Sequence, residues 1–549
     1  MSVDLSFFCK RSLSMRYISR RSAVYGRSGM VASSQPLASE AGLRILQAGG
    51  NAADAAVAVA AALNVTEPGS TGVGGDCFCL FFDAAKKSVE GVNGSGRAPA
   101  LLSVEALADQ GIEGVMPSHS VHTVTVPGAA AGSVDTMERF GSKELGEVLE
   151  PAIELAEEGF PVAPFSSASW RAGAERLRSG PHGGEMLIDG RGPREGEIMR
   201  NPTLARTFRE LAEHGKAGYY EGRIAEAIVD LLEPRGSFMT LDDLKNHVNT
   251  FPKPISTNYR GYDVFEIPPN GQGITALVAL NIVEDFDLSE MGHSSAEHLH
   301  ILIEAMRLAF ADARWYVADP DVVHVPVKEL LSKEYASERR RLIDPLRANV
   351  GVERGSPFAG SDTVYFCVVD GEGNACSFIN SNYMGFGTGL IPEGCGFTLQ
   401  NRGANFSLDP GHPNCVAPNK RPYHTIIPGM LMRDGELVGP FGVMGGFMQP
   451  QGHMQVVVNM VDFGMNPQEA LDSPRFCITD GTSGGGVAIE EAVPIEVMSA
   501  LVRMGHDVSP RAGANRGSFG RGQIILRDPE TGVLCGGSDP RSDGMAIAW

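Results

Sequence analysis

The sequence predicts an α/β protein, and three observations lead to that fold class. An Ala-rich segment at residues 52–63 has helical character and is followed by an apolar run at 77–82, typical of a buried strand. Residues 102–232 have a mainly helical pattern, punctuated by Pro and Gly. From residue 363 onwards, short apolar runs alternate with Gly-rich turns, which favours strands. Helices and strands are therefore both expected to be major parts of the fold.

The elements near the N-terminus can be placed from their turn and cap residues. Residues 24–33 predict two short strands joined by a Gly-containing turn. We expect Ser39 to cap a helix over residues 40–47, which ends at Gly49. Asn51 is then expected to cap the Ala-rich helix, which is apolar all round and therefore predicted to be buried.

The second half of the chain predicts a long helix and then a change to strands. Residues 347–361 contain Gly and Pro without a clear pattern and predict an exposed linker. The other expected elements are a helix capped by Ser294 that runs to Trp315, strands at 364–369 and 375–379, and a short helix at 467–472.

Composition excludes several classes of function. The chain has 549 residues, 43% of them hydrophobic and 20% charged, which is typical of a soluble globular protein. Its net charge of −20 disfavours nucleic acid as a partner, because phosphate binding needs basic patches. The sequence has no apolar run of about 20 residues, so it predicts no membrane span.

Cysteine and histidine spacing predicts neither a metal nor a cofactor. The nine cysteines are an odd number and form no C-x-x-C pair, which favours reduced thiols inside a cell over a disulfide framework or a zinc site. His293, His298 and His300 lie close in sequence, but no H-E-x-x-H motif is present. Residues 72–75 are Gly-rich without the G-x-G-x-x-G pattern of a dinucleotide site.

Residues 1–23 predict an extension without fixed structure. They carry five Lys and Arg residues and a single acid, Asp4, and their apolar piece is too short for a secretory signal. We therefore expect a cytoplasmic protein with a disordered N-terminal extension. A mitochondrial-type presequence is the alternative that this composition leaves open.

Thr363 is the strongest candidate for a catalytic residue. It follows the predicted linker and opens an apolar strand. A β-branched residue at a strand start is by itself common. If the chain were cut before Thr363, however, a free α-amine with a pKa near about 8 would lie beside the hydroxyl and could accept its proton. This position therefore predicts a self-contained nucleophile, which is a variant of triad chemistry.

Several motifs resemble those of the γ-glutamyltranspeptidase family. The sequence GMVASSQPLASEAGLRILQAGGNAADAAVAVAAALNVTEPGSTGVGGD at residues 29–76 is similar to the family's N-terminal signature, and DTVYFCVVDGEGNA is similar to its nucleophile strand. The motifs FGTG (386–389), PNKRP (418–422) and MGG (444–446) follow in the family's order. The resemblance covers nearly the whole chain from about residue 24.

This resemblance implies a fold, a cleavage and a set of catalytic residues. The fold would be the four-layer αββα sandwich of the Ntn hydrolases. The chain would cut itself between Asp362 and Thr363 into a large subunit (24–362, after the 1–23 extension) and a small subunit (363–549) that stay together. Gly445 and Gly446 would form the oxyanion hole, and their lack of a Cβ suits that role. Ser381 would hydrogen-bond the nucleophile.

The predicted amine-binding side of the substrate pocket departs from the γ-glutamyl members of the family. Those members hold an α-amino group with an Asn, a Gln or Glu, and an Asp. This sequence has Tyr383, Arg402 and Asn405 at the corresponding positions. The exchange removes a negative charge and adds a positive one, so the resemblance points to the cephalosporin-acylase-like and oxamate-amidohydrolase-like branch. The alternative for Arg402 is an outward-facing salt bridge.

The predicted carboxylate-binding side differs as well. His424 and Thr425 replace the paired serines that hold the substrate's α-carboxylate in the family. The family's carboxylate-binding Arg is not at its usual spacing, and Arg97 lies two residues later. Arg97 and Arg402 are therefore predicted to share a substrate carboxylate, because a guanidinium offers a planar two-point contact. The lid before the PNKRP motif is short, at residues 412–417, which predicts an open pocket.

The predicted function is hydrolysis or transfer of an acyl group through an acyl-Thr363 intermediate. The partners would be a small amide with a γ-glutamyl or related carboxylate-bearing acyl group, and water or an acceptor amine. Two alternatives are kept. One is an amidohydrolase for non-glutamyl substrates of the oxamate or glutaryl-amide type. The other is an inactive, unprocessed member of the family that serves as a scaffold.

Overall fold

The computed structural model describes residues 21–350 and 362–549. Its strands are β1 (Val24–Gly26), β2 (Met30–Ser33), β3 (Asp76–Asp83), β4 (Ser88–Gly94), β5 (Phe160–Pro161), β6 (Ile198–Met199), β7 (Ile255–Tyr259), β8 (Tyr262–Glu266), β9 (Asp362–Val369), β10 (Ala375–Tyr383), β11 (Gly429–Arg433), β12 (Glu436–Met444), β13 (Phe476–Ile478), β14 (Val487–Glu490), β15 (Val508–Arg511), β16 (Arg521–Arg527), β17 (Leu534–Ser538) and β18 (Met545–Ala548).

Its α-helices are α1 (Pro36–Gln47), α2 (Ala52–Thr66), α3 (Val104–Asp109), α4 (Ala129–Phe140), α5 (Leu145–Glu158), α6 (Pro164–Ser179), α7 (Pro202–His214), α8 (Lys216–Tyr220), α9 (Arg223–Leu232), α10 (Leu241–Lys245), α11 (Gly273–Val283), α12 (Leu288–Met291), α13 (Ala296–Tyr316), α14 (Val327–Leu330), α15 (Lys333–Arg340), α16 (Met448–Val461), α17 (Pro467–Asp472) and α18 (Ile495–Arg503). Short 3₁₀ turns lie at Val121–Thr123, Gly183–Met186, Glu233–Arg235, Arg402–Asn405 and Gly513–Phe519.

Two large sheets pack face to face at the centre of the molecule. One has the strand order β1-β17-β16-β12-β11-β8-β7 and the other the order β18-β2-β9-β10-β3-β4. Strands β9 and β10 of the second sheet contact β12 and β16 of the first. The space between the sheets is filled by buried apolar side chains such as Phe78, Tyr365 and Met430. Sheets packed in this way share one core between their inner faces.

Helices cover the outer face of each sheet and complete four layers. Helices α1, α2 and α4 pack on the six-stranded sheet, and α11, α16 and α17 pack on the seven-stranded sheet. Helix α2 is buried along its whole length, as its Ala-rich composition predicts, and small side chains let it lie close to the sheet. The predicted αββα fold is confirmed.

Most predicted elements are found, and some extend beyond the predicted bounds. Asn51 caps α2 with a reciprocal capping box, since its side chain accepts from the N–H of Asp54 and the Asp54 carboxylate accepts from the N–H of Asn51. The short helix at 467–472 has the predicted bounds. The strands predicted at 364–369 and 375–379 are longer, as β9 and β10.

Two predicted helix caps are wrong. Helix α1 begins at Pro36, because Gln35 provides the cap and a proline suits the first helical position. Ser39 is buried, and its hydroxyl donates to the carbonyl oxygen of Met545 at 2.8 Å. Helix α13 begins one residue later than predicted, since Ser295 rather than Ser294 is its cap.

Two sequence predictions concern residues beyond those described. Residues 1–20 of the predicted extension and 351–361 of the predicted linker lie outside the described residues. Within 21–350 and 362–549, no helix is long and apolar enough to cross a membrane. The eight described cysteines are free thiols.

Candidate active site

Thr363 lies at the start of β9, between β2 and β10 in the six-stranded sheet, and is fully buried. The pairing of β9 with β10 is regular up to Val364 and then shifts, so that Asp362 faces Tyr383. Bulges of this kind often re-aim side chains beside active sites. Here the bulge brings Ser381 next to Thr363, with 3.0 Å between the Oγ1 and Oγ atoms.

Ser381 is held in place by the same bulge. The backbone N–H of Tyr383 donates to Ser381 Oγ at 2.8 Å. This bond occupies a lone pair of Ser381 Oγ, and in the Ser381–Thr363 contact either hydroxyl can be the donor. A donor in that position stabilises negative charge on the threonine oxygen. The structure therefore brings together the two hydroxyl groups that the sequence analysis paired.

A buried group of charges adjoins this hydroxyl pair. Asp76 opens β3 and lies opposite Ser381 in the sheet. Its Oδ2 accepts from Arg402 Nε at 3.3 Å and from His424 Nε2 at 3.2 Å. Burial acts to raise the pKa of Asp76, but the hydrogen bond from His424 and the charge of Arg402 outweigh it and hold that pKa below its usual value.

His424 is neutral in this group. Burial and the charge of Arg402 lower the pKa of His424 to about 4. Its Nδ1 accepts from the N–H of Ile426 at 3.3 Å, so the ring proton is assigned to Nε2, which donates to Asp76. The neighbouring Thr425 accepts from Arg402 Nη1 at 2.7 Å. Both residues that replace the family's serines thus contact the Asp76–Arg402 pair.

Arg402 is fully buried, so an outward-facing salt bridge is excluded. Its guanidinium carbon lies 4.6 Å from the centroid of the Tyr383 ring. Its Nη2 has no hydrogen-bond partner among the described residues. An unsatisfied N–H of a buried cation is costly. Arg402 is therefore a candidate for binding an anionic group of a ligand.

Tyr383 links this group to Asn405. The Tyr383 hydroxyl donates to Asn405 Oδ1 at 2.8 Å, while Asn405 Nδ2 has no partner within the described part of the chain. Asn405 lines a cavity of about 300 Å³, and Arg314 and Tyr423 are among the other residues that line it. The Arg314 guanidinium lies over the ring of Phe447, 4.4 Å from its centroid. The cavity therefore lies on the far side of the Tyr383–Asn405 contact from Arg402, and Arg314 adds a second cation to its lining.

Gly445 and Gly446 form a turn between β12 and α16. Their φ values are +133° and +60°, a region that side chains rarely adopt. Gln272 fixes this turn, because its Nε2 donates to the carbonyl oxygens of Gly446 at 2.8 Å and Thr425 at 2.6 Å. Consecutive N–H groups in such a turn can face an anion. The turn is thus tied directly to the Arg402 group.

Arg97 is not placed with these residues. Its guanidinium donates to Val248 O at 3.1 Å and to Asp321 at 3.3 Å. It lines a different cavity of about 420 Å³ with residues such as Asp243 and His247. The structure therefore brings Arg402, Tyr383, Asn405, His424 and Thr425 together and leaves Arg97 elsewhere.

The described residues contain a group that could in principle hold a metal, His300, Glu304 and His506. Two of its members already contact each other, since His300 Nδ1 and His506 Nε2 are 2.8 Å apart. Glu304 accepts from the N–H of Asn349 at 2.8 Å and lies 3.7 Å from Arg307. A buried arginine beside the carboxylate disfavours a divalent cation. These contacts favour a structural hydrogen-bonded group.

Four residues of the site were not predicted, namely Asp76, Gln272, Arg314 and Arg521, whose guanidinium donates to the carbonyl oxygen of Thr363 at 3.4 Å. Asp76 carried a usable signal, because an acid that opens a buried apolar strand needs charged or hydrogen-bonding partners if it is itself buried. The other three side chains reach the site only through tertiary packing. Together the described groups offer a buried hydroxyl, a second hydroxyl to support it, a glycine turn and an anion-binding cation.

A four-layer αββα fold with a buried threonine at the start of a central strand defines the class of amidohydrolases that use a strand-opening nucleophile. The profile of the gamma-glutamyltranspeptidase family matches residues 38–549. The chain therefore belongs to the γ-glutamyltranspeptidase family, as its motifs predict.

Relatives within the family include both hydrolases and acylases. The chain is 38% identical to the glutathione hydrolase-like YwrD proenzyme of Bacillus subtilis (strain 168), over 96% of this chain and 99% of that protein. It is 33% identical to the oxamate amidohydrolase proenzyme of Klebsiella pneumoniae, over 95% and 98% of the two chains. The crystal structure of cephalosporin acylase from Bacillus halodurans matches with a TM-score of 0.90 and 47% identity, over 98% and 99% of the chains.

These findings confirm the predicted branch and its enzyme class. The protein is an amidohydrolase or acylase of the family, and its relatives are made as proenzymes.

Proposed function

We propose that the chain cuts itself between Asp362 and Thr363 and then hydrolyses amides through an acyl-Thr363 intermediate. The observation that carries the proposal is the buried Thr363 hydroxyl, 3.0 Å from Ser381 Oγ at the start of a central strand. The proenzyme names of the relatives support the cleavage. The pieces would comprise residues 1–362 and 363–549.

In the proposed reaction, Thr363 Oγ1 attacks the carbonyl carbon of the substrate amide and its proton passes to the free α-amine of Thr363. The carbonyl oxygen becomes an oxyanion, which the N–H groups of Gly445 and Gly446 stabilise. The Thr363 α-ammonium then gives this proton to the leaving nitrogen as the C–N bond breaks, which releases the amine and leaves acyl-Thr363. Water then attacks the ester to release the acid, or an acceptor amine takes the acyl group.

The proposed acyl group carries a carboxylate and no α-amine. Arg402 supports this choice, because its buried Nη2 has no partner among the described residues and can donate to a carboxylate. Asn405 occupies the place where an acid would pair with an ammonium, and it carries no charge. Arg97 is left out of the proposed pocket, because its guanidinium pairs with Asp321. Substrates of the oxamate or glutaryl-amide type fit these contacts.

A γ-glutamyl substrate is the second candidate within the same mechanism. The relative at 38% identity is named a glutathione hydrolase-like proenzyme, which favours it. The α-amine of such a substrate would lack a carboxylate partner at position 405. An inactive scaffold is disfavoured, because the hydroxyl pair and the glycine turn are both present.

Replacing Thr363 tests the cleavage and the nucleophile. Thr363→Ala should remain a single chain near 58.4 kDa on a denaturing gel, whereas the wild type should give two bands. Intact-mass analysis of the wild type quenched during turnover should find the acyl group on the smaller piece. A wild type that turns over substrate as one uncut chain would contradict the mechanism.

Changing Asn405 to Asp tests the proposed specificity. The carboxylate would still accept from Tyr383 and would add a charge for an α-ammonium, so the ratio of kcat/KM for γ-glutamyl over glutaryl 4-nitroanilide should rise by about tenfold or more. Ser407→Asp is the matched control, because it adds a charge to the lining of the same cavity and can still accept from the N–H of Asp409; it should change this ratio less. A wild type that already prefers the γ-glutamyl compound would refute the proposed acyl group.

A further inference from the structure

Thr363 has little support from the sheet in which it lies. Strand β2 pairs with β9 only at residues 367–369. Strand β10 pairs with Val364 and then shifts past Thr363. After the proposed cleavage, Thr363 would also lose its bond to the preceding residue and become a chain end. Chain ends fray unless another group holds them.

The Arg521 side chain contacts Thr363 and several groups around it. Its Nη2 donates to the Thr363 carbonyl oxygen at 3.4 Å and to Ser70 Oγ at 3.3 Å. Its Nε lies 3.3 Å from Met444 Sδ, in the residue that precedes the Gly445–Gly446 turn. One planar guanidinium therefore bridges the candidate nucleophile and the strand that leads to the candidate oxyanion hole.

Glu67 holds this guanidinium in place. Its Oε1 accepts from Arg521 Nη1 at 2.6 Å, and its Oε2 accepts from Ser34 Oγ at 2.6 Å. Glu67 is 4% exposed and Arg521 13% exposed, so water screens the pair weakly. The Ser70 hydroxyl contacts both Glu67 and Arg521. The carbonyl oxygen of Ser70 accepts from the N–H of Asn382 at 3.1 Å, in the bulge beside Ser381.

We propose that Arg521, oriented by Glu67, is a positioning residue that fixes the backbone of Thr363 relative to the glycine turn. The inference rests on the proposed role of Thr363 as nucleophile. The geometry requires a forked cation, because one side chain must reach a carbonyl oxygen, a carboxylate and a hydroxyl at once. Holding the carbonyl of a terminal threonine limits the movement of its Cα, which carries both the amine and the side chain.

The first test measures the rate of cleavage. Arg521→Met keeps much of the side-chain length and removes the fork, so conversion of the 58.4 kDa chain to two pieces during cell-free synthesis should slow by about 10- to 100-fold. Arg339→Met is the matched control. Like Arg521, Arg339 forms a partly buried ion pair with an acid, here Asp312 at 3.0 Å. The contacts of Arg339 are with residues of α13 and α15. The control should be processed at the wild-type rate.

The second test uses the pH dependence of kcat/KM in the processed enzymes. The charges named near Thr363 are the Glu67–Arg521 pair, Asp543 close to Glu67, and the Asp76–Arg402 pair with neutral His424. Glu67→Gln removes the carboxylate partner of Arg521, which contacts the carbonyl oxygen of Thr363. An uncompensated cation in contact with the residue that carries the α-amine disfavours the ammonium form. The acid limb of the profile should therefore move about one unit toward lower pH.

Arg521→Met should not move the acid limb in that direction. It removes the cation and leaves Glu67, whose pKa burial already raises, so the limb should stay or move to higher pH. The assay uses glutaryl or γ-glutamyl 4-nitroanilide, whichever the wild type hydrolyses faster. If the Arg521→Met variant does not fold, the shift of the acid limb in Glu67→Gln is the measurement that tests the inference.

The outcomes separate this inference from the proposed function. Suppose that the wild type is processed and active. The positioning role alone would then be overturned if the acid limb of Glu67→Gln does not move, or if Arg521→Met is cleaved at the wild-type rate. A wild type that is never cleaved would overturn the nucleophile and the positioning role together. Slower cleavage of Arg521→Met, together with an acid limb of Glu67→Gln at lower pH, would support both the nucleophile role of Thr363 and the positioning role of Arg521.

Discussion

Gly446 combines an unusual backbone conformation with a place at the candidate oxyanion hole. Its φ of +60° is costly for a β-branched residue, and Gln272 holds its carbonyl oxygen. Gly446→Val should therefore turn the N–H groups away from the oxyanion and lower kcat by about 10²- to 10³-fold. Steady-state assays of the cleaved enzyme measure this effect.

Gly435→Val is the control for backbone strain alone. Gly435 has φ +77° in the turn between β11 and β12, with open space where a Cβ would lie. Both variants should lose stability to a similar extent, while only Gly446→Val should lose kcat. Equal loss of kcat in the two variants would remove Gly446 from the proposed site.

Residue types predicted some contacts of the site and missed others for a physical reason. The resemblance to the family implied the pairing of Thr363 with Ser381, and the structure has their hydroxyl oxygens 3.0 Å apart. The destination of a long side chain does not follow from its position in sequence. Arg97 reaches Asp321, and Arg521 reaches Glu67, a residue 454 positions away. Such contacts depend on how the sheets pack.

Helix and strand positions were predictable where the local signals agreed. Helix α17 has a capping box, a proline in its first turn and the bounds that its sequence predicts. Helix α1 shows the opposite case. Gln35 and Pro36 outcompete Ser39 as the helix start, and the Ser39 hydroxyl is used instead in contacts with Ser33 and Met545. Local capping preference there gives way to tertiary contacts.

The first turn of α13 carries a pH-sensitive residue. Burial, followed by the charge of His293, lowers the pKa of His298 to about 3. The unfolded chain takes up a proton on His298 below about pH 6.5 whereas the folded chain stays neutral down to about pH 3. His298 therefore reduces the free energy of unfolding progressively as the pH falls through this window, and it has no such effect above it.

His298→Gln should remove that loss. Between pH 7.5 and pH 5, the free energy of unfolding of the variant should rise relative to the wild type by about 2 kcal/mol. Urea unfolding at both pH values, with Thr363→Ala in both proteins so that each is one chain, measures the difference. The same pH dependence in both proteins would show that the pKa of His298 is equal in the folded and the unfolded chain.

At the scale of the whole molecule, the order of the strands is the feature that the sequence could not predict. Both large sheets mix strands from before and after Thr363. In the six-stranded sheet, β2 lies between β18 and β9, and β10 pairs with β3. In the seven-stranded sheet, β1 pairs with β17 and β8 with β11. Pairings between strands this distant in sequence are set by the packing of the layers and not by local pattern.

This interleaving predicts that the proposed cleavage does not separate the two pieces. Removing residues 363–549 would take away β9 to β18, break both sheets and expose the apolar core between them. The processed enzyme should therefore give two bands on a denaturing gel and elute as one species in size-exclusion chromatography, also in 1 M salt, since the contact is mainly apolar. Residues 363–549 expressed alone should be insoluble or lack a cooperative unfolding transition. Elution of a folded small piece apart from the large one would show that the sheets can be divided at Thr363, against this topology.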